Sequence, residues 1–349
     1  MLDHIPGRFA KWQGQRLNYF GGTSYLGLAT SPDFAELIKA GIDRYGSNYG
    51  GSRLSSPRIR IFEEAEAWIA QWVGLPAALT VSSGSLAGQL LMKYCATVGE
   101  CHYAPGTHPA LLGPGQAYTE DFDAWSQKVP AILEKAARPV FIMASTVDAI
   151  HSRRYGFEWL HSLPANRPFT LILDDAHGVG VYGDEGKGFL PDVPRLPQIE
   201  LVLTASLAKA MGVPGGFVAG SEALIQRLWQ QAFFGGASPI LPPYLYALLQ
   251  GQGLYQEARR HLAQLQGLLR SKIASTGLFQ SFSGYPVWYT AHEGIAPFLL
   301  QHGILIPQFH YPTPSSPLAT RMVVSAHHEL EDVERLQIGI HAFAQQLDL

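Results

Sequence analysis

The chain has 349 residues, 47% hydrophobic and 15% charged, a composition that supports a sizeable core divided between a major and a minor domain. A formal net charge of −3, with basic residues gathered only in short pairs such as Arg153-Arg154 and Arg259-Arg260, argues against nucleic acid or an anionic membrane as partner. Two cysteines, Cys95 and Cys101, no apolar signal-peptide core in residues 1–16 and no apolar run near the ~20 residues of a membrane span lead to the expectation of a cytoplasmic protein without disulfides.

In chain order, residues 1–45 read as an N-terminal arm. Residues 46–245 read as a large domain in which apolar runs of strand length alternate with helical patterns. The runs are Ala78–Val81, Val140–Ala144, Phe169–Leu173, Leu201–Thr204 and Gly216–Ala219, and the helical patterns include Pro57–Val73 and Gly84–Cys95. Continuous apolar strands between helices predict an α/β fold whose mostly parallel sheet is covered on both faces, with ligands collecting at the carboxyl ends of the strands. From residue 246 a smaller C-terminal α+β domain is expected. It has a helical pattern over Pro242–Ser275 running into it, a strand near Arg321–Ser325 and a terminal helix near Leu330–Leu347.

Three stretches follow predicted strands and carry chemistry. Ser82-Ser83-Gly84-Ser85 opens a helix, where free backbone N–H groups and small residues form an anion site; simple N-capping is the other reading. Asp174-Asp175-Ala176-His177 ends the apolar run Leu171–Leu173. It reads as a structural loop cap, as a metal site, or as a carboxylate held against a cationic heterocycle with an imidazole beside it; the metal reading lacks a further ligand set nearby. Gly178–Gly183 spells G-x-G-x-x-G but runs into a loop instead of opening a helix, so no dinucleotide site is expected. Lys209 stands alone among small and apolar residues before Gly212-Val213-Pro214-Gly215-Gly216. An amine, an acid at a strand end and a phosphate cradle on one sheet edge are the parts that pyridoxal 5′-phosphate requires. The lysine forms a Schiff base with the aldehyde, the acid supports the ring nitrogen and the helix start holds the phosphate.

The order and spacing of these motifs resemble the α-oxoamine synthases, a family of fold-type I pyridoxal-phosphate enzymes with the aspartate-aminotransferase-like fold. Asn18-Tyr19-Phe20 with Ser24-Tyr25-Leu26-Gly27-Leu28 is similar to "N-Y-L-G-L", and Gly46-Ser47 followed by Gly50-Gly51-Ser52-Arg53 to "G-x-G-G-[ST]-R", with Asn48-Tyr49 as an insertion. Asp174–Gly188 is similar to "D-[DE]-A-H-[GS]-x-G-x-x-G-x-x-G-x-G", and Ser206–Ala210 to "[TS]-[LF]-[GS]-K-[AG]". The resemblance implies that Lys209 is the Schiff-base lysine, Asp174 the ring-nitrogen partner, His177 a hydrogen-bond partner of the ring hydroxyl and His108 a stacking group. It places Ser206 with the backbone at Gly84 and Ser85 around the phosphate, and adds Thr146 as a cofactor residue and Ser238 as a phosphate contact given to the neighbouring subunit of a homodimer with shared active sites. Arg321 would hold the substrate carboxylate and Thr313 would line the site wall. His310 replaces the arginine of "R-P-P-T", and the segment before Thr146 has Ile142-Met143 in place of "E-G", so the acyl pocket is expected to be altered.

The implied reaction is a C-acyl transfer. A small amino acid condenses with an acyl-CoA or acyl-carrier thioester, releasing CO₂ and thiol and giving an α-amino ketone, with no metal. Within the family the first expectation is 8-amino-7-oxononanoate synthase chemistry with alanine, as in biotin biosynthesis. Glycine C-acetyltransferase is the alternative, and an aminotransferase or a non-catalytic partner subunit are readings of other classes.

Overall fold

The computed structural model describes residue 2 and residues 4–113 and 121–347. Its centre is a six-stranded sheet in the order Ala77–Val81, Gly216–Gly220, Ile199–Ser206, Phe169–Asp174, Val140–Ser145, Glu100–Tyr103. The last four strands pair in parallel, and Gly216–Gly220 runs antiparallel to both its neighbours. That reversal has a local cause. Only residues 207–215 join Ile199–Ser206 to Gly216–Gly220, too short a connection for the crossover a parallel pair needs. Ala77–Val81 therefore runs with the parallel set, and five of the six strands point the same way.

The apolar runs are continuous because both sheet faces are covered. Ile172, Val202, Val218, Met143 and Leu79 pack on one side against Leu90 and Leu91 of the Gly84–Val98 helix. Leu171, Leu173, Leu203, Ala205 and Phe217 face the opposite core with Ile69 and Val73 of the Ile61–Val73 helix. Each fully buried branched side chain contributes on the order of 2 kcal/mol of transfer free energy. Strand and helix bounds extend the sequence expectations by one or two residues in most cases. The Pro57–Val73 pattern shortens to Ile61–Val73, and the Pro242–Ser275 pattern divides into Pro242–Gln250 and Gln252–Ile273 at Gly251. The strand expected at Arg321–Ser325 lies at Leu318–Val323.

The N-terminal residues are tied to the far end of the chain. Asn18 and Tyr19 pair in parallel with Ile304-Leu305, after an antiparallel turn back onto Phe9–Trp12. The buried Asp332 carboxylate collects Arg8 Nε at 2.7 Å, Asn18 Nδ2 at 2.6 Å and the Glu329 N–H at 2.8 Å. A second three-stranded sheet, Val287–Thr290, Leu318–Val323 and Gln308–His310, carries Arg321 opposite Tyr289.

Arg53, from the Gly-Gly-Ser-Arg stretch, is buried. Its guanidinium pairs with Glu66 through contacts of 2.9 and 3.0 Å and lies 4.2 Å from the Phe62 ring centroid. Glu66 also accepts from the Thr80 N–H and hydroxyl, locking the Ile61–Val73 helix to the first strand of the sheet. Removing one member of a buried pair leaves the other charge stranded. Glu66→Ala is expected to lower unfolding stability by about 3 kcal/mol in urea titration, and a loss below about 1 kcal/mol would show that the pair does not matter.

Candidate active site

Because the parallel strands share a direction, their last residues meet along one edge. Ser145, Asp174 and Ser206 end three adjacent strands there, and the Gly84–Val98 helix begins after Val81 on the same side. Asp174 is held by the Ala176 N–H, which donates to Oδ1 at 3.0 Å. Period-two alternation turns the next carboxylate away: Asp175 is fully buried on the other face. It accepts from the Thr146 hydroxyl at 2.6 Å and the Phe189 N–H at 2.7 Å. Burial pushes its carboxyl up to about 7, against the pull of the Thr146 bond. A Cβ on Gly188 would stand 2.0 Å from Asp175 Oδ2, so the glycine-rich loop closes directly over this group. Thr146 is thus turned to Asp175; its hydroxyl anchors the acid pair from behind.

Helix caps decide which N–H groups remain free. Ser83 Oγ accepts from Leu86 N at 3.0 Å, and Ser83 O from Ala87 N. The N–H groups of Gly84 and Ser85, which precede the first intrahelical donor, Ala87 N, point out of the helix start. A Cβ on Gly84 would meet Ser206 Cβ at 2.8 Å, and one on Gly216 would meet Gly84 N at 2.5 Å. No side chain larger than hydrogen fits at either place, and the Ser206 hydroxyl is brought beside the helix start. This corner offers two N–H groups, a hydroxyl and a helix dipole to an anion.

His108 follows the Glu100–Tyr103 strand. Its N–H donates to Ser145 Oγ at 3.1 Å, and its Nδ1 accepts from Ala110 N at 3.1 Å, which leaves the ring proton on Nε2. A Cβ on Gly88 would stand 2.6 Å from Ala110 O, so the helix and this loop touch backbone to backbone. His108 Nδ1 is 3.7 Å from Asp174 Oδ2. Burial lowers the imidazole's affinity for a proton, Asp174 opposes that and Lys209 adds to it, so the contact is between a neutral ring and the acid. His177 is driven much further down, first by burial and then by Lys209 and Arg321. The hydroxyl of buried Tyr25 lies 2.7 Å from its Nδ1.

Lys209 sits in the 207–215 turn, half-buried, and makes no ion pair among the described residues. Its amine is pushed down to about 8 by burial and by the Arg321 charge, with Asp174 pulling the other way. Arg321 is 6% exposed; Nη1 donates to Ala149 O at 2.7 Å, the guanidinium lies 5.6 Å from the Phe309 ring centroid, and Nε has no partner. A buried guanidinium with free donors and no carboxylate within 4 Å among the described residues calls for an anion.

Lys209, Asp174, His108, His177, Ser206, Gly84, Ser85 and Arg321 therefore gather at one edge. Thr313 lies on an exposed turn, its hydroxyl 3.0 Å from those of Ser315 and Ser316, and Ser238 is exposed in the loop after Phe234. Sequence reasoning gave no role to Tyr25 or Tyr311. Tyr25 appears within a family motif, but nothing in the sequence shows that it reaches His177. Tyr311 is close enough for Asp174 and Arg321 to act on its phenol, whose proton is held mainly by burial.

The residues present fit pyridoxal 5′-phosphate. The side-chain-free corner at Gly84 and Gly216 suits a phosphate, the lone desolvated amine suits an aldehyde, and the acid at the strand end suits a ring nitrogen. The low proton affinity of Lys209 also has a thermodynamic sign. Between pH 8 and the ordinary lysine value of 10.5 the unfolded chain binds more protons than the folded one, so the cost to stability is full below pH 8 and fades as pH rises. The cofactor-free Lys209→Met variant is expected to exceed the wild type by about 1–2 kcal/mol at pH 7, with the gap closing by pH 10.5 in urea titrations; a pH-independent gap would contradict a desolvated amine.

The profile of the family described as aminotransferase class I and II matches residues 155–338. The 8-amino-7-oxononanoate synthase of Nitrosomonas eutropha is 31% identical over 93% of this chain and 89% of its own length. That of Dechloromonas aromatica is 30% identical over 99% and 94%. Among solved structures, Sphingomonas wittichii serine palmitoyltransferase superposes with a TM-score of 0.80 at 16% identity, covering 99% of this chain and 92% of its own. The Francisella tularensis 8-amino-7-oxononanoate synthase superposes at 0.73 and 20%, covering 95% and 99%; at these identities the structures speak for the fold. The chain belongs to the aminotransferase class I and II family and, within it, to the α-oxoamine synthases, acyl-transferring enzymes of fold type I that work with pyridoxal 5′-phosphate.

Proposed function

We propose that the enzyme condenses alanine with a seven-carbon dicarboxylic acid held as a monothioester, giving 8-amino-7-oxononanoate, CO₂ and free thiol. The observation that carries this reading is the convergence of Asp174 and the buried guanidinium of Arg321, whose Nε has no partner, on the desolvated amine of Lys209, in a chain about 30% identical to enzymes of that name over nearly its full length. The acyl class follows from the product. Alanine that has lost CO₂ supplies carbons 8 and 9 with the amine, so carbons 1 to 7 arrive as an acyl group with a carboxylate at its far end.

In this reading the N–H groups of Gly84 and Ser85 and the Ser206 hydroxyl hold the cofactor phosphate, Asp174 faces the ring nitrogen, His177 the ring hydroxyl, and His108 packs on the ring. Lys209 is the amine to which the cofactor is joined at rest. Bound there, the cofactor supplies an electron sink for the pair left behind when the α-proton of the amino acid departs. Arg321 would grip the substrate carboxylate through its free donors and so fix the orientation of the bonds at the α-carbon. With its proton affinity lowered to about 8, Lys209 has a useful fraction of free base near neutral pH and takes the α-proton. Thr146 supports Asp174 indirectly through Asp175, and Thr313 sits on the turn at the outer wall. Ser238, exposed in one chain, completes the phosphate site of a second copy in a homodimer, and the two free thiols suit a cytoplasmic setting.

The test is thiol release from acyl-CoA and acyl-carrier thioesters of two to ten carbons, with and without a terminal carboxylate, crossed with alanine, glycine and serine. The expected best pair is alanine with the seven-carbon dicarboxylic thioester; glycine with an acetyl thioester as best pair would assign the glycine C-acetyltransferase reaction instead. Lys209→Ala should reduce turnover by at least about a thousandfold, since it removes both the cofactor attachment and the base, and activity within tenfold of wild type would sink the role given to Lys209.

A further inference from the structure

Thr204 lies in the middle of the site floor and is unaccounted for. It is 1% exposed, and its hydroxyl meets no hydrogen-bond partner although it is sealed from solvent. A buried hydroxyl without a partner is costly and calls for an explanation. Its position supplies one. Thr204 is the register partner of Asp174 across the parallel pair Phe169–Asp174 and Ile199–Ser206, and its carbonyl accepts from Asp175 N at 2.9 Å.

The faces agree as well. Val202, two residues before Thr204, and Ile172, two before Asp174, both pack into the core beneath the Gly84–Val98 helix. By strand alternation Thr204 and Asp174 therefore project to that same side, as neighbours on adjacent strands. Ser206, two residues further on, is the hydroxyl beside Gly84. Thr204 thus stands between the carboxylate and the phosphate corner.

We infer that Thr204 is a positioning residue for Asp174: with the cofactor in place its hydroxyl donates to the Asp174 carboxylate and fixes the plane that faces the ring nitrogen. A turn about χ1 exchanges the methyl and hydroxyl positions, so no backbone movement is needed. Asp174 Oδ1 is already oriented by the Ala176 N–H, and a second donor from the neighbouring strand would hold the carboxylate from two directions. The inference rests on the cofactor reading of Asp174 given above.

Thr204→Ala, Thr204→Val and Thr204→Ser in the full-length protein separate the hydroxyl from the bulk of the side chain. The readouts are the cofactor dissociation constant, by absorbance titration with pyridoxal 5′-phosphate, and the pH titration of the bound cofactor's visible absorbance. Loss of the hydroxyl in the Ala and Val variants is expected to weaken cofactor binding about three- to tenfold and to displace the pH midpoint, while the Ser variant behaves as wild type. Both effects should vanish when Asp174→Ala, which removes the acceptor, is already present. Wild-type binding and titration in Thr204→Ala would overturn the inference. So would a Ser variant as impaired as the Ala variant, or an undiminished Thr204→Ala effect on the Asp174→Ala background. If Asp174→Asn alone leaves the titration of the wild type unchanged, the reading of Asp174 itself fails, and this inference with it. Should Thr204→Val not fold, the Ala and Ser pair decides the matter.

Discussion

The electrostatic tension at Lys209 organises the rest of the site. Its amine is held where burial and the Arg321 charge both resist protonation, and only Asp174 favours it. A lysine on the surface would relax into solvent; this one is fixed in a short turn between two antiparallel strands. Packing around it leaves little choice. A Cβ on Gly180 would meet Ala210 Cβ at 2.7 Å and Met211 Sδ at 2.8 Å, so the glycine-rich loop presses directly on the lysine turn. The same loop covers Asp175, whose bond from Thr146 steadies the end of the strand that presents Asp174. The amine, the acid and the anion corner are therefore one mechanical unit, and each owes its place to strand direction.

A second layer connects that unit to both chain ends. Tyr25 reaches His177, and the segment preceding it is pinned to the C-terminal region by His328. The His328 ring stacks on Phe20 at 4.1 Å between centroids. It accepts from Ser325 N on Nδ1 and lies 3.0 Å from Tyr19 O on Nε2, while burial pushes it down to about 4. It is thus a neutral structural histidine with a fixed tautomer. Arg321 belongs to the strand just before it, so the Arg321 guanidinium and the His177 imidazole are held by a common set of contacts. Displacement of the N-terminal segment would disturb Tyr25 and Arg321 together.

Much of this was legible in the sequence, for physical reasons. Strands buried on both faces read as unbroken apolar runs, so their ends were visible, and Asp174, Ser206 and Lys209 stand out where the runs stop. Glu100–Tyr103 escaped notice because an edge strand of mixed polarity carries no such run. The reversal of Gly216–Gly220 could be argued only from the shortness of the turn before it. The break at Gly251 is a local turn of the backbone, which leaves helical geometry there at φ −82° and ψ 13° while the apolar pattern continues on both sides. Tyr25, Tyr311 and Thr204 could not be placed from the sequence, because each acts across a long separation with no periodicity to betray it. Asp175 differs: simple alternation already sends it to the other face from Asp174.

The central claim is that this amine, and no other in the chain, is the point of covalent attachment. The direct measurement is borohydride reduction of the protein loaded with pyridoxal 5′-phosphate, followed by peptide mapping of the fixed label. Desolvation of Lys209 predicts a single stoichiometric adduct on the peptide that contains it. Label distributed over other lysines, or absent from that peptide, would contradict the account.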